Sequence, residues 1–560
     1  MGKLTRFRFL WPYVLASKLK LFLALSSLTF LSLAALVYPW LLKFMVDQYG
    51  GSRSTALSVP ALGLALALLL SLAALVGYHC KLYLQVLGYR LRNTLRVHLY
   101  WTLLRRSLSF HQHQQVGEIS ARATEDIAKL QSIFINLLTP LFQNALYILG
   151  CIILMSFLNW VATLIVIAVV LPPCVYFYLA SAKLQDFSAR GQAMHAQANA
   201  FFEETLVGIR EIKAFAREKR ERERYAGILE RALATEVESA KLEQKVDQGL
   251  LYLFYLILLG IYYVGTTQTI FPDWTLGGVV AFYFYAYTIT LALLSSGRLY
   301  QTYQGIAGSL DRIAELIEPE DFTRQPRVAG VKRKLLGKVE FKDVSFQYEP
   351  RKPVLMNLSF ITEPGSWLLI TGASGSGKST IVNLVMRFYE PQSGVVLIDS
   401  IPMQDWDISF LRRQVGYVGQ EPLLFHGTIK ENIFFCQDGV DERQLQESLR
   451  IAQLEEFISE LPDGLDTMIG ERGLTLSGGQ RARVAIARAI VFNPTILILD
   501  EANAMVEKDL EQEFWAQLAN SRKDKTTIIL SHHPENIPHR YTTLGLSGVR
   551  PQQKSLGERL

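Results

Sequence analysis

Cysteine is scarce in this sequence of 560 residues, and its few copies lie far apart. They form neither a C-x-x-C pair nor a cluster with histidine, so neither a disulfide framework nor a cysteine-based metal site is indicated. We expect reduced thiols that pack, for the most part, as small apolar side chains. The four positions are Cys80, Cys151, Cys174 and Cys436.

Charged residues are also few, at 19% of the chain, and the net charge of +6 is modest. The basic residues lie beside apolar runs and not in a groove studded with aromatics, so nucleic acid is not an expected partner. Half of the residues are hydrophobic and the mean hydropathy is positive, which is unusual for a soluble enzyme. A membrane protein accounts for both features, because its cytoplasmic loops carry Lys and Arg.

A cleavable signal peptide is missing as well. Lys3, Arg6 and Arg8 give a basic start, but no small-residue cleavage site follows the first long apolar run. That run is therefore expected to stay as a membrane span.

The chain is too long for one domain, and its character changes near residue 318. We predict a membrane domain over 1–317 and a linker over 318–337 that holds Pro319, Pro326 and a basic cluster. A soluble domain of alternating strands and helices is predicted over 338–560. Neither a low-complexity tract nor an internal repeat of 20–50 residues is present.

The first domain holds six apolar runs, and each is near the length needed to cross a hydrocarbon core of about 30 Å. They predict six membrane helices. The runs cover about 21–43, 60–77, 138–157, 160–179, 250–264 and 276–294.

The segments between these runs are unequal. Two of them, about 78–136 and 181–249, are long and rich in Lys and Arg, which places them in the cytoplasm together with the N-terminus. Both have helical periodicity, so each is expected to form two antiparallel legs of about 28 residues, which reach about 40 Å. An ordinary cytoplasmic insertion is the alternative. Leu91, Leu95, Leu99 and Leu103 form one apolar row in the first segment.

The second domain carries a complete G-x-x-x-x-G-K-[ST] phosphate-binding loop. The apolar run Trp367–Ile370 before it reads as a strand, and Ile381–Val385 after it reads as a helix. Lys378 would reach the β- and γ-phosphates of a nucleotide and Ser379 would bind Mg²⁺. The predicted contacts are Gly372, Ser374, Gly375, Ser376, Gly377, Lys378, Ser379 and Thr380.

Three further candidates follow apolar strands. Asp500 ends the run Ile496–Asp500 and suits the Mg²⁺ shell, while Glu501 could polarise an attacking water. Gln420 could bind Mg²⁺ or that water, although a surface glutamine is the alternative. His532 could donate to the γ-phosphate, but a structural role is open and the neighbouring His533 makes the choice less certain.

A second anion-binding device lies in the same domain. Ser477, Gly478, Gly479 and Gln480 precede a helical pattern, so Ser477 is expected near a helix N-terminus. One domain has no obvious use for two phosphate cradles. Two such domains facing each other head to tail would use both.

In these motifs and their order the chain resembles an ABC transporter half of the exporter type, similar to lipid A flippases and multidrug exporters. The resemblance implies an α-helical six-span membrane domain followed by an α/β P-loop (ABC-type) nucleotide-binding domain. It assigns the stacking of adenine to Tyr348. It also matches 470–473 to a segment that touches the membrane domain, and 117–126 and 204–213 to cytoplasmic loops with coupling helices.

The resemblance further implies that two chains bind two ATP molecules with Mg²⁺ between their nucleotide-binding domains. Closure would turn a cavity outward, and hydrolysis assisted by Glu501 would reset it. The expected partners are a second half-transporter, identical or different, and the lipid bilayer. The expected location is a bacterial inner (cell) membrane, with the nucleotide-binding domain in the cytoplasm. A soluble ABC ATPase is disfavoured by the six spans, while an exporter-shaped importer stays open.

The sequence departs from the family after Glu501. The family's serine and aspartate in the following loop are replaced by Ala504 and Glu507, His533 stands where arginine is common, and the last strand lacks its acidic start. These changes put the rate or symmetry of hydrolysis in doubt. The chain is therefore a candidate half of a heterodimer with a partly degenerate site.

Spans five and six are rich in aromatics, and the spans hold almost no ionisable residue at mid-depth. Such residues could line a cavity for an apolar, amphipathic or cationic compound, or they could face lipid. We expect a hydrophobic drug or lipid as substrate, with a peptide next. The aromatics are Tyr252, Phe254, Tyr255, Tyr262, Tyr263, Phe282, Tyr283, Phe284, Tyr285 and Tyr287.

Overall fold

A computed structural model describes most of the chain and divides it into two compact units. The first unit holds residues 1–104 and 115–318, and the second holds 105–114 and 319–560. The residues described are 18–49, 58–114, 116–267, 274–317, 330–436, 439–470, 476–501, 508–531, 537, 540–547 and 550–552. Most of the predicted linker and the altered segment 502–507 lie outside them, as do His532, His533 and 471–473.

The first unit is built from long helices. These helices extend well beyond the predicted spans. The longest has 50 residues, which corresponds to about 75 Å at 1.5 Å per residue. Their bounds are Lys18–Tyr49, Val59–Arg105, Val116–Leu158, Trp160–Val207, Glu218–Thr267 and Leu276–Ile317.

Four of these helices are long and apolar enough to cross a membrane among the described residues. They contain the first, second, third and sixth predicted spans. The fourth and fifth predicted spans lie in Trp160–Val207 and Glu218–Thr267, where several side chains are not described. The helical membrane domain is thus confirmed, and the count of six spans stays a prediction.

The two long segments form paired helical legs, as predicted. Leu91, Leu95 and Leu99 of the apolar row are buried. A short helix, Leu108–His113, follows the first long leg and belongs to the second unit, where the Tyr389 hydroxyl donates to Gln112. The matching short helix after the other leg is Ile209–Ala214.

The third helical run contains two π-helical turns, Arg122–Asp126 and Ile133–Leu138. Between them, at Gln131, the run packs so closely on Gly88 that a Cβ there would lie 2.6 Å from the Gln131 carbonyl oxygen. The buried Asp126 accepts hydrogen bonds from Ser309 and Arg312 of the last helix, at 2.8 Å each. These contacts fix the run against its two neighbours.

A second buried carboxylate joins the first and last helices of this unit. Asp47 accepts a hydrogen bond from the Gly277 amide at 2.8 Å and another from the Thr275 hydroxyl at 3.0 Å. It therefore satisfies a backbone N–H at the start of the helix Leu276–Ile317. Ser295 and Ser296 of that helix accept hydrogen bonds from the buried Asn144 side chain.

The second unit contains two larger sheets. A four-stranded antiparallel sheet has the order β2-β1-β4-β5, and a six-stranded sheet has the order β12-β11-β3-β10-β9-β6. Every pairing in the second sheet is parallel except that of β12 with β11. A two-stranded ribbon, β7-β8, is separate. The strands are β1 Val339–Gln347, β2 Pro353–Thr362, β3 Trp367–Gly372, β4 Ser393–Ile398, β5 Ile401–Pro402, β6 Val415–Val418, β7 Gly427–Thr428, β8 Met468–Ile469, β9 Ile496–Asp500, β10 Thr526–Leu530, β11 Thr542–Ser547 and β12 Arg550–Gln552.

Helices cover both faces of the parallel strands. In β3, Trp367 and Leu369 belong to one hydrophobic core, while Leu368 and Ile370 belong to the other. This is why the strands read as continuous apolar runs instead of alternating ones. The α-helices are Leu108–His113, Lys378–Val385, Ile408–Arg412, Ile429–Ile433, Glu442–Ile451, Glu455–Ser459, Gly478–Ile490 and Lys508–Ser521.

The predicted cysteine chemistry is met in part. Cys80 and Cys151 are free and buried, as expected for packing residues. Cys436 is free but exposed, so it is an exception to a prediction that was made for most of the cysteines. The side chain of Cys174 is not described.

Candidate functional site

The phosphate-binding loop has the expected strand–loop–helix geometry. It leaves β3 at Gly372 and enters the helix Lys378–Val385. Gly377 precedes this helix with φ +98°, and no side chain caps the helix N-terminus. A Cβ at Gly372 would lie 2.5 Å from the Leu546 carbonyl oxygen. Both positions therefore require glycine, and the helix start, which no side chain caps, is suited to bind an anion.

The polar side chains of the loop fit a bound phosphate chain. Lys378 is buried and donates from Nζ to the carbonyl oxygens of Gly372 and Ala373, at 2.8 and 3.2 Å. The Ser376 hydroxyl oxygen is buried without a hydrogen-bond partner among the described residues. A buried polar atom of this kind is normally satisfied, so it points to a ligand that the loop is shaped to hold. Ser374, Gly375 and Ser379 are exposed on the loop.

Asp500 lies at the end of β9 and is buried beside the loop. Burial raises its pKa above the usual aspartate value, and the Glu501 carboxylate adds to the rise, while the hydrogen bond from Ser379 and the charge of Lys378 oppose it. A hydroxyl and a carboxylate in contact are the oxygen ligands that Mg²⁺ prefers. Ser379 and Asp500 therefore fit the predicted metal site.

Glu501 and Gln420 are brought together. The Gln420 amide nitrogen donates to a Glu501 carboxylate oxygen at 2.8 Å, although the two residues are 81 positions apart. Glu501 has φ +53°, and its amide donates to the Leu530 carbonyl at 3.0 Å. A non-glycine residue in this conformation is uncommon and is often found at functional sites. The contact places Gln420 beside Glu501, and its role at the metal or the attacking water stays a prediction.

The strand that leads to His532 is present as predicted. β10 ends at Leu530, and the buried Ser531 donates from its amide to the Ile370 carbonyl at 3.3 Å. His532 itself lies outside the described residues, so its role as a γ-phosphate donor stays a prediction.

Tyr348 presents an aromatic face near the loop helix. Its hydroxyl accepts a hydrogen bond from Asn383 at 2.9 Å and lies 3.2 Å from the Thr380 hydroxyl. The ring packs edge-on against Phe346 and Tyr389 but stays 42% exposed. This exposure suits the predicted stacking with a base. Asn383, which anchors the ring, was not identified from the sequence because no motif includes it.

Ser477 starts the helix Gly478–Ile490, as expected. Its hydroxyl accepts from the Gln480 amide, and the Gln480 side chain accepts from the Ser477 amide at 2.9 Å. This reciprocal capping box orders an exposed helix start. Gly478 and Gly479 leave that start without bulky side chains.

The two phosphate-binding devices lie on opposite faces of the parallel sheet. The helix after the phosphate loop packs through Ile381 and Val382 into one core, and the helix after Ser477 packs through Val484 and Ile486 into the other. The sheet therefore separates them within one chain.

The aromatics of the fifth and sixth predicted spans differ in exposure. Phe254, Phe282 and Tyr285 are buried, so they are packing residues. Four tyrosines of the helix Glu218–Thr267 are between 62 and 69% exposed and recur with helical spacing. They are Tyr252, Tyr255, Tyr262 and Tyr263. Among the aromatics of the fifth and sixth predicted spans, this group presents the most surface to a substrate or lipid, while Tyr283 and Tyr287 are each 40% exposed.

Comparison with known proteins agrees with this architecture. The profile of the ABC transporter transmembrane region matches residues 21–293, and that of the ABC transporter domain matches 355–504. An uncharacterised ABC transporter ATP-binding protein of Bacillus subtilis is 30% identical and covers 95% of this chain and 92% of its own length. An ATP-dependent lipid A-core flippase of Burkholderia thailandensis is 30% identical, with 97% and 91% covered. The structure of a bacterial Atm1-family ABC exporter with ATP bound aligns with a TM-score of 0.84 and 26% identity over 96% of each chain.

Proposed function

This chain belongs to the ABC transporter family as a half-transporter of the exporter type, and from that premise we propose that it exports or flips a hydrophobic or amphipathic compound by alternating access in a dimer. The observation that carries the proposal is the set of nucleotide-handling side chains at one sheet edge in a chain with membrane-spanning helices. Lys378, Ser379, Asp500, Glu501 and Gln420 form this set.

The residues have distinct roles in the proposed ATPase reaction. The backbone of 372–380 and Lys378 hold the phosphates, with Ser376 as a further donor. Ser379 and Asp500 would hold Mg²⁺, which supplies neutralisation of the charge on the phosphate oxygens. Glu501 orients and deprotonates the attacking water, and Gln420 positions Glu501 through their hydrogen bond. His532 is the proposed γ-phosphate donor.

A dimer completes the site in this proposal. Because the sheet separates Ser477 from the phosphate loop within a chain, the second phosphate cradle must come from another chain to reach the same nucleotide. Ser477, Gly478, Gly479 and Gln480 of one half would close over the ATP bound by the other. Nucleotide then stabilises the closed state and shifts the population towards it.

The proposed substrate class rests on the membrane helices. The exposed tyrosines present large apolar faces and polar hydroxyls, which suit an amphipathic molecule. One relative of similar length is named a lipid A-core flippase, which makes a lipid-like substrate the first choice here. A peptide is the next candidate.

The proposed location is a bacterial inner membrane, with the N-terminus and the nucleotide-binding domain in the cytoplasm. The Lys- and Arg-rich long segments support this orientation.

The test is the ATPase rate of the chain purified alone in lipid nanodiscs, beside Lys378→Ala. Turnover in the parent and none in the variant is the expected result. Vesicles that hold the protein in both orientations would then be assayed with a fluorescent phospholipid and a cationic rhodamine dye. ATP-dependent movement of neither probe would refute the substrate class, and movement opposite to export would assign an importer.

A second candidate is one half of a heterodimer. It is favoured by Ala504 and Glu507 in a loop where the family has serine and aspartate. In that case the folded chain alone binds ATP but hydrolyses it negligibly, and adding a partner half restores turnover.

A further inference from the structure

Tyr417 is a residue of the nucleotide-binding domain to which no motif assigns a role. It lies in β6, where it pairs with Ile498 of β9. Side chains alternate along a strand, so Tyr417 lies on the same face as Val415, Ile498 and Asp500. Val415 and Ile498 belong to the core that also contains the helix after the phosphate loop. Tyr417 is thus on the sheet face that carries the predicted metal and phosphate site.

The tyrosine ring lies directly against Gly419, the residue before Gln420. A Cβ at position 419 would be 2.8 Å from the Tyr417 hydroxyl oxygen and 3.2 Å from the ring carbon that bears it. The ring therefore occupies the space that any other residue at 419 would need. Gln420 is the next residue, and its side-chain amide nitrogen lies 2.8 Å from a Glu501 carboxylate oxygen.

The electrostatic surroundings agree with this location. Burial, followed by the negative charge of Asp500, raises the pKa of Tyr417 above the usual tyrosine value. The Tyr417 hydroxyl is thus close enough to Asp500, the predicted Mg²⁺ ligand, to be affected by its negative charge. Tyr417 is 40% exposed and lies outside the buried core clusters.

We propose that Tyr417 is a positioning residue for ATP hydrolysis. Its ring packs against the main chain at Gly419, a contact called the brace below, and so holds the Gln420 side chain beside Glu501. The inference rests on the proposed ATPase function of this site. It predicts that the ring matters more than the hydroxyl, because the brace is a packing contact. It also predicts that position 419 must stay glycine because a Cβ would displace the ring.

The test compares Tyr417→Val, Tyr417→Phe, Gly419→Ala and the double variant Tyr417→Val/Gly419→Ala. A loosened Gln420 should lower kcat about tenfold in Tyr417→Val and in Gly419→Ala, with the KM for ATP within about twofold of the parent. Tyr417→Phe should keep at least half of the parent kcat. The double variant should have the same kcat as Tyr417→Val, since each of the two changes removes the same contact between the ring and Gly419. Gly227→Ala, where no atom lies within 4 Å of the added Cβ, is the matched control.

Two results would overturn the inference. One is a fold-decrease in kcat of the double variant that equals the product of the fold-decreases in the two single variants. The other is a parent-like kcat in Tyr417→Val. A readout that needs no hydrolysis separates this inference from the proposed function. Hydrogen exchange at the amides of Gly419 and Gln420 should rise in Tyr417→Val but not in Tyr417→Phe. If the parent does not hydrolyse ATP, hydrogen exchange is the only test of the brace. Unchanged protection of the Gly419 and Gln420 amides in Tyr417→Val then rejects it.

Discussion

At the scale of single residues, two adjacent carboxylates have different environments. Asp500 is buried against Ser379 and Lys378, whereas Glu501 is less buried and receives the Gln420 amide. A buried acid beside a hydroxyl suits a metal shell, and a more accessible acid suits contact with water. Two neighbouring acids at the end of one strand are thus suited to two different roles in the same site.

Replacement of Glu501 by glutamine tests the role of the second carboxylate. Glu501→Gln keeps the size of the side chain and can still accept from Gln420, but it cannot take a proton from water. We expect kcat to fall at least about 100-fold, while the affinity for ATP measured with a fluorescent analogue stays within a few-fold. Glu513→Gln, on the helix Lys508–Ser521, is the control. A variant that hydrolyses ATP at the parent rate would remove Glu501 as the base.

Replacement of Asp500 by asparagine tests the burial of the first carboxylate. The folded-state pKa of Asp500 is raised, so its favourable contribution to folding is complete below the usual aspartate pKa of 3.8 and is lost as pH rises through the folded pKa. Each unit of elevation corresponds to about 1.4 kcal/mol at neutral pH. Without nucleotide or metal, we expect Asp500→Asn to unfold at a higher temperature than the parent at pH 7.5.

The pH dependence of the difference in unfolding temperature between Asp500→Asn and the parent tests the direction of the Asp500 pKa shift. The stabilisation in Asp500→Asn should shrink as pH falls from 7.5 towards the usual aspartate pKa of 3.8, because the parent carboxyl takes up its proton as pH passes its raised pKa. Thermal unfolding in nanodiscs measures it, with the exposed Asp524→Asn as control. A difference that grows towards low pH would contradict the assignment.

At the scale of elements, the helices of the membrane unit are fixed by a few buried polar contacts. The π-helical turn Arg122–Asp126 places Asp126 against Ser309 and Arg312 of the last helix. π-turns recur at functional positions in helices, and here the turn coincides with an interhelical ion pair. The pair therefore sets the position of the third helical run relative to the sixth helix.

Removal of Arg312 tests this contact. Arg312→Ala would leave the buried Asp126 carboxylate with the Ser309 hydroxyl and a lysine 4.0 Å away. Because the arginine is itself 44% exposed, we expect a loss near 2 kcal/mol, about the lower end for a broken buried pair. The thermal unfolding midpoint in detergent measures it. Arg190→Ala, which removes an exposed i,i+4 pair with Asp186, should change the midpoint little. Equal shifts in the two variants would show that burial does not strengthen the Asp126 contact.

At the scale of the whole molecule, the sheet separates the two predicted phosphate cradles of one chain. The phosphate loop and Ser477 lie at helix N-termini on opposite sheet faces, so a shared nucleotide requires a second chain. Two identical halves arranged head to tail would give two equivalent sites.

Mixed dimers distinguish shared sites from sites within one chain. One half carries Lys378→Ala and the other carries Ser477→Arg, and the mixed species is isolated by two different tags. In a head-to-tail dimer, one site receives both changes and the other receives neither, so about one ATP per dimer should be retained. If each chain formed its own site, both sites would be damaged and no ATP would be retained. Dimers with the same change in both halves are the controls, and each should retain none.

The membrane domain and the strand–loop–helix of the phosphate loop follow from the sequence because their causes are local. Long apolar runs have few alternatives to a membrane helix, and a loop with fixed glycines can form only one turn around a phosphate. The strands at 367–372, 496–500 and 526–530 are apolar on both faces, so their burial was also predictable.

Other features depend on residues far apart in the chain, and the tertiary structure alone decided them. The contact of Gln420 with Glu501 and the anchoring of Tyr348 by Asn383 have no signature in a local pattern. The same is true of the sheet faces that separate the two phosphate cradles, since strand order is set by crossover connections. The sequence by itself determined which chemistry is present, because each motif supplies its own backbone and side chains. Packing decided which groups meet, because the free energy of such contacts comes from partners brought together only by the fold.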